Sequence, residues 1–259
     1  MRQSFNLALA QMLVTPGEVA GNLARAEARI ATAAAQGADI VLLPEALDCG
    51  WSHPSAREFA GEIPHGDACR RLCAAAKQHG VFVCAGLVER AGDRWFNAAV
   101  LVDPRGEVIL HHRKISELDF ARELYSVGDR LGVAETPWGR AGLMICADGF
   151  APGQVISRSL ALMGARFILS PCAWAVPADH DNTREPYGRL WLDNYGPVAR
   201  DLGVWIAGCS NVGPVTAGEW AGRKCIGNSL VCAPERLVAA RGAYGESADE
   251  IVLVRVELA

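Results

Sequence analysis

The feature that most constrains this chain is a set of short, unbroken apolar runs that recur between stretches of helical spacing. Asp39 is followed by Ile, Val, Leu and Leu with no polar residue among them, and Val81–Leu87 and Val204–Cys209 read the same way. A strand without polar alternation is covered on both faces, so helices or a second sheet must flank it. Helices are at hand. Glu18–Gln36 carries Leu23, Ala26, Ile30 and Ala34 at helical spacing and stops at Gly37. Asp67–Gly80, Gln154–Met163 and Pro186–Leu202 read as further helices, the last with Trp191, Tyr195 and Val198 along one side.

Strands and helices do not alternate strictly. Phe5–Gln11 and Arg166–Ser170 read as single buried strands. Phe96–Val102 and Glu107–His111 flank Asp103-Pro-Arg-Gly as a hairpin, and Val133–Thr136 with Arg140–Ile145 forms a second around Pro137-Trp138-Gly139. Gly227–Cys232, Leu237–Ala240 and Glu250–Glu257 close the chain as three strands. Hairpins inside an alternating pattern predict mixed sheets with helices outside, a layered α/β sandwich rather than a purely parallel doubly wound sheet. With 259 residues and no internal repeat, low-complexity tract or Pro/Ser-rich linker, one domain over 1–259 is expected.

Composition serves mainly to exclude. A net charge of −4, a pI near 5.9 and the lack of a long Lys/Arg block argue against a nucleic-acid partner. No segment reaches the roughly 18 apolar residues of a membrane helix, and Met-Arg-Gln-Ser-Phe-Asn lacks the apolar core of a signal peptide. The nine cysteines are scattered with no Cys-x-x-Cys pair, so neither a disulfide framework nor a zinc knuckle is expected, and the protein reads as cytoplasmic. No metal or organic cofactor is implied.

Three reactive residues share one kind of address. Leu143–Gly153 turns from a strand toward a helix that begins near Pro152, and it puts Cys146 on the bend. Such a bend predicts outward N–H groups and the positive end of a helix close behind, a setting that lowers a thiol's pKa. The plainer alternative is that Cys146, like most cysteines, is a small buried hydrophobe. Glu45 follows the Ile40–Leu43 run, where ligands gather in α/β sheets, against the default of a solvated loop carboxylate. Lys114 follows the first hairpin, against the default of a surface lysine in a basic cluster. Together they offer a nucleophile, a base and a fixed cation for an oxyanion. No Gly-x-Ser-x-Gly elbow is present; of the six histidines, only His111 and His112 stay open as partners of a nucleophile.

The chain resembles the nitrilase, or carbon–nitrogen hydrolase, superfamily. The resemblance rests on Leu42-Leu-Pro-Glu-Ala-Leu47, His112-Arg-Lys-Ile115 and Ile145-Cys-Ala-Asp148. Glu123-Leu-Tyr-Ser-Val-Gly128, Gly164-Ala165, Ser170-Pro-Cys-Ala-Trp174 and Ser210-Asn-Val-Gly213 support it, all in the family's order and covering essentially the whole chain. It implies a four-layer αββα sandwich with Glu45 as general base, Lys114 as oxyanion stabiliser and Cys146 as nucleophile. Glu123 matches the second glutamate that orients the lysine, and the Ala147 N–H completes the oxyanion pocket. Trp174 falls where members line the substrate pocket, and Trp51 and Phe150 are further candidates for its walls. Members usually dimerise, here through 152–163 and 186–202.

Three positions depart from the family's pattern. Phe150 stands where it often has Arg, and Gly153 where it has Glu; the usual Tyr before Arg-Lys is His112. The Cys-Ala-Asp-Gly turn is closer to simple amidases than to N-carbamoyl amino acid hydrolases. The expected reaction is hydrolysis of a small carboxamide through a cysteine thioester. A nitrilase is the first alternative, disfavoured because the chain stops soon after its last strand, and a non-catalytic binding member is the second. Trp191 and Tyr195 read as core or interface residues, Asp148 as a brace of the turn, Cys69 and Cys73 as core-facing thiols, and Arg184 and Arg189 as solvated. Pocket shape rests on loops 49–60 and 172–190.

Overall fold

The computed structural model describes residues 3–258; Met1 and Arg2, which the reading of the N-terminus includes, lie outside the described residues, as does Ala259. One six-stranded sheet is built from β1 (Ser4–Gln11), β2 (Ile40–Leu42), β3 (Phe82–Ala91), β4 (Arg94–Val102), β5 (Val108–Arg113) and, from the far end of the chain, β15 (Glu250–Glu257). Its order is β15-β1-β2-β3-β4-β5, with β1, β2 and β3 parallel and the outer pairings antiparallel. The second sheet contains β6 (Val133–Thr136), β7 (Gly139–Leu143), β8 (Ala165–Cys172), β10 (Trp205–Ser210), β13 (Leu230–Cys232) and β14 (Ala240–Arg241). Its order is β14-β13-β10-β8-β7-β6.

The layering follows from period-2 alternation along the strands. Phe5, Leu7 and Leu9 of β1 face the second sheet and pack with Ala141, Leu143, Phe167 and Leu169. Ala8 and Ala10, between them, face outward onto Leu23, Ala26 and Ile30 of helix α1 (Val19–Ala35). Helix α3 (Asp67–His79) packs on the same side through Cys69 and Leu72, after a short helical turn α2 (Ala56–Phe59). On the far face of the second sheet, Ile168 and Ile206 meet Ile156 and Leu160 of α4 (Val155–Leu162) and Trp191, Tyr195 and Val198 of α5 (Arg189–Leu202). Helix, sheet, sheet, helix is the layer order that the resemblance implies.

Several elements differ from the sequence reading; the strand read at Leu237–Ala240, for one, is β14, confined to Ala240–Arg241. A third, three-stranded sheet joins β9 (Ala175–Val176), β11 (Val212–Pro214) and β12 (Lys224–Ile226) in the order β11-β12-β9. These strands are two or three residues long, too short for periodicity to register. The strand beginning at Val81 also runs on to Ala91 and turns at Gly92 directly into β4, so the first hairpin has three strands.

Candidate active site

Strand direction brings the three reactive residues to one edge. β2 is parallel to β3, and β5 is restored to that direction by two antiparallel steps, so Glu45 and Lys114 leave the first sheet at the same end. Cys146 leaves the second sheet just past β7, beside the parallel strand β8. Both Glu45 and Cys146 sit at strained turns: Ala46 has φ 45° and Cys146 φ 44°, left-handed values that non-glycine residues rarely adopt. The loop after β2 is docked on β3 by Leu43 N–H to Cys84 O, Gly86 N–H to Pro44 O and Leu47 N–H to Gly86 O, and Glu45 N–H donates to Cys172 O.

Neither default reading of the charged pair survives. Glu45 and Lys114 are each only 1% exposed, and Lys114 Nζ lies 2.7 Å from Glu45 Oε1. The same oxygen accepts a 2.6 Å hydrogen bond from Asn97 Nδ2, while Glu45 Oε2 is buried with no hydrogen-bond partner. Asn97, in β4, also accepts the Lys114 backbone N–H through its own carbonyl at 2.8 Å. It therefore holds both members of the pair, and nothing in its local sequence marks it.

The second carboxylate beside the lysine is Glu117, not Glu123. Glu117 Oε2 is 3.7 Å from Lys114 Nζ, and its side chain is wholly buried. Glu123 is exposed on the 3-10 turn Asp119–Glu123, in a surface hollow with Ser52, Arg57, Phe120 and Glu219. The reason is geometric. Residue 117 is one short turn beyond the end of β5, whereas the 3-10 turn carries residue 123 out to the surface. Burial alone would lower the Lys114 pKa, but the carboxylates of Glu117 and Glu45 more than offset this and hold it well above the ordinary lysine value. Burial raises Glu117 against the pull of Lys114, to about 7.

Cys146 is half-buried, and its thiol behaves opposite to the expectation from the turn. Burial, a hydrogen bond with the Cys172 thiol and the charge of Glu45 push its pKa well above the usual thiol value, with only Lys114 opposing. The positive end of a short turn is outweighed by desolvation and a buried carboxylate. The folded environment therefore favours the neutral thiol over the thiolate. Its backbone N–H donates to Ser170 Oγ at 3.1 Å, and Ser170 Oγ is also 3.4 Å from Cys172 Sγ. All nine cysteines are free.

The proposed pocket walls divide. Ala147, buried, directly follows Cys146 in the turn Cys146–Phe150. Trp51 lies beside the lysine, with Lys114 Nζ 5.6 Å from its ring, and packs edge-on against Phe120 and Trp220. Phe150 is half-buried against Trp191. Trp174 is an interior residue, 1% exposed and stacked on Trp191 at 4.6 Å. Trp191 and Tyr195 are core residues, and Arg184 and Arg189 are exposed and paired with Asp181 and Asp193. Among the described residues, no group of three or more His, Cys, Asp or Glu could hold a metal ion, and no helix is long and apolar enough to cross a membrane.

Comparison with known proteins adds to this geometry. The family model described as carbon-nitrogen hydrolase matches residues 6–259. A nitrilase of Pyrococcus abyssi is 32% identical over 242 residues, which cover 92% of this chain and 84% of that protein. The omega-amidase NIT2 of Xenopus tropicalis is 34% identical over 154 residues, 56% of this chain and 55% of that relative's length. Among solved structures, Saccharomyces cerevisiae Nit3, of branch 10 of the nitrilase superfamily, matches with a TM-score of 0.83 at 22% identity over 99% of this chain and 91% of its own. A mutant of the amidase from Nesterenkonia sp. AN1, with the acetamide moiety of fluoroacetamide on its active-site cysteine, matches at 0.81 and 22%, over 99% and 92%. Both share the architecture of two mixed sheets between helices.

Proposed function

The chain belongs to the carbon–nitrogen hydrolase family, a cysteine-dependent class of enzymes, and we propose that it hydrolyses a small carboxamide to carboxylate and ammonia through a thioester on Cys146. The observation that carries this reading is the division of labour on one carboxylate. Glu45 Oε1 is held by Lys114 and Asn97, and the unpartnered Oε2 is left to take a proton from Cys146, whose thiol burial and the Glu45 charge hold above the usual thiol value.

In this mechanism Glu45 takes the thiol proton as Cys146 Sγ attacks the amide carbon. The oxyanion is held by the Lys114 ammonium and the Ala147 N–H, donors of a kind worth about 3–4 kcal/mol each. The tetrahedral adduct collapses by breaking the C–N bond, and the nitrogen leaves as ammonia with the proton from Glu45. Water then attacks the thioester while Glu45 takes one of its protons. The C–S bond breaks, the acid departs and the proton returns to Cys146. Glu117, 3.7 Å from Lys114 Nζ, gives the ammonium a second carboxylate partner.

The amide reading is supported by the Cys146-Ala-Asp-Gly turn and by the omega-amidase and amidase names among the relatives. A nitrile substrate is the second reading, favoured by the likeness to the Pyrococcus abyssi nitrilase over most of both chains. Ammonia release from matched amides, nitriles and N-carbamoyl amino acids, with Cys146→Ala as control, separates them. Turnover of amides alone supports the proposal, and acid from nitriles replaces it. Turnover that persists in Cys146→Ala removes the thioester. We further place the protein in the cytoplasm as a homodimer or higher homo-oligomer, whose contact includes Val155, Leu162 and Leu190, apolar side chains 55%, 78% and 50% exposed on the 152–163 and 186–202 segments. Light scattering of the purified chain tests the assembly.

A further inference from the structure

The two sheets meet through apolar side chains, but at the reactive edge a polar contact crosses between them. His112, in β5 of the first sheet, has its Nε2 2.8 Å from Asp148 Oδ2, in the turn that follows β7 of the second. Both side chains are buried, at 2% and 0% exposure. The same carboxylate gathers backbone from both sides of the site. Oδ1 accepts the N–H groups of Ile115 at 3.0 Å and Ser116 at 2.7 Å, immediately after Lys114. Oδ2 also accepts the N–H of Ile145 at 3.0 Å, immediately before Cys146. Thus one carboxylate is bonded to residues on both sides of the lysine and to the residue that precedes the nucleophile. Burial would raise the Asp148 pKa, but His112 and these N–H groups hold it below the usual carboxylate value, so it stays a charged acceptor.

Apolar contact between sheets is non-directional and leaves their relative placement soft. A charge-assisted hydrogen bond is directional, and misplacement by about 1 Å at a reacting centre can lower a rate about 100-fold. We propose that His112 is a positioning residue. By donating Nε2–H to Asp148 it orients the carboxylate that sets the Cys146 turn against Lys114, and so against Glu45. The inference rests on the proposed function for its meaning, though its test does not need the substrate.

The test compares His112→Gln, His112→Asn and His112→Phe. The Gln amide nitrogen reaches about where imidazole Nε2 lies, the Asn nitrogen stops short of Asp148, and Phe keeps ring volume without a donor. Two readouts are taken at temperatures where each variant is folded by circular dichroism: kcat and KM on the best amide, and the rate of iodoacetamide alkylation at Cys146 followed by peptide mass spectrometry. Asn and Phe are expected to lower kcat about tenfold or more with KM within about threefold, and to slow alkylation in step, while Gln stays within about threefold of wild type. Equal behaviour of Gln and Asn, whether both active or both impaired, overturns the inference, and this pair decides even where Phe fails to fold. If the wild type turns over no amide, the proposed function fails while alkylation still judges His112.

Discussion

Lys114 Nζ and Glu45 Oε1 are 2.7 Å apart in an environment where each side chain is 1% exposed, and Glu117 closes on the same ammonium from 3.7 Å. One cation serves two buried carboxylates. Attraction inside a dry site must offset the desolvation of all three groups, so the trio is sensitive to the loss of any member.

Removing the cation is the severest change. Lys114→Met leaves Glu45 and Glu117 uncompensated and is expected to cost about 3–5 kcal/mol of stability near pH 8. Without the ammonium, the buried Glu117 carboxyl loses the charge that pulls its pKa down and titrates further above its unfolded value, so the loss shrinks as pH falls and Glu117 takes up its proton. Urea unfolding at pH 5.5 and 8 checks this; a loss of equal size at both would mean the lysine acts through packing alone.

Glu117 gives a second pH signature. Its folded pKa of about 7 lies above its ordinary 4.5, so the folded state keeps a proton that the unfolded chain releases. The resulting penalty is absent below pH 4.5, grows through the window to 7 and is complete above it. Glu117→Gln removes it, so the variant's Tm relative to wild type should climb between pH 5 and 8, while kcat falls because Lys114 loses a support. A flat Tm difference would show that Glu117 does not titrate in that window.

Glu89 behaves in the opposite sense. Burial would raise it, but the bidentate Arg113 guanidinium at 2.7 Å and His111 at 3.0 Å hold it down at about 2. Its contribution is present above pH 4.5 and is lost as pH falls toward 2. Glu89→Gln should cost about 2–4 kcal/mol at pH 7 and much less at pH 3, measured by denaturant unfolding.

Gly86 tests the docking of the Glu45 loop. A methyl group there would stand 2.5 Å from Glu45 Cα and 2.8 Å from Pro44 O. Gly86→Ala should therefore lower kcat more than about tenfold along with a loss of about 1–3 kcal/mol. Gly92→Ala is the comparison: φ is +64° but no atom lies within 4 Å of the new methyl, so it should lose about 1 kcal/mol and keep its kcat. If both variants keep wild-type kcat, the loop does not depend on that close approach.

What the sequence determined was the local part of this protein. Unbroken apolar runs marked the strands and amphipathic spacing the helices, and their order implied layered mixed sheets with Glu45, Lys114 and Cys146 at strand ends. These signals belong to neighbouring residues, which is why a one-dimensional reading carries them. The tertiary structure decided everything that depends on distant segments meeting. Glu117 rather than Glu123 faces the lysine because a turn carries residue 123 out to solvent. Asn97 and Cys172 join the site through strand pairing, and His112 reaches Asp148 only once two sheets are stacked. The thiol's pKa moved up rather than down because desolvation and the charge of Glu45 are set by the folded interior, and a buried electrostatic environment is a property of the whole packing, written in no single stretch of chain.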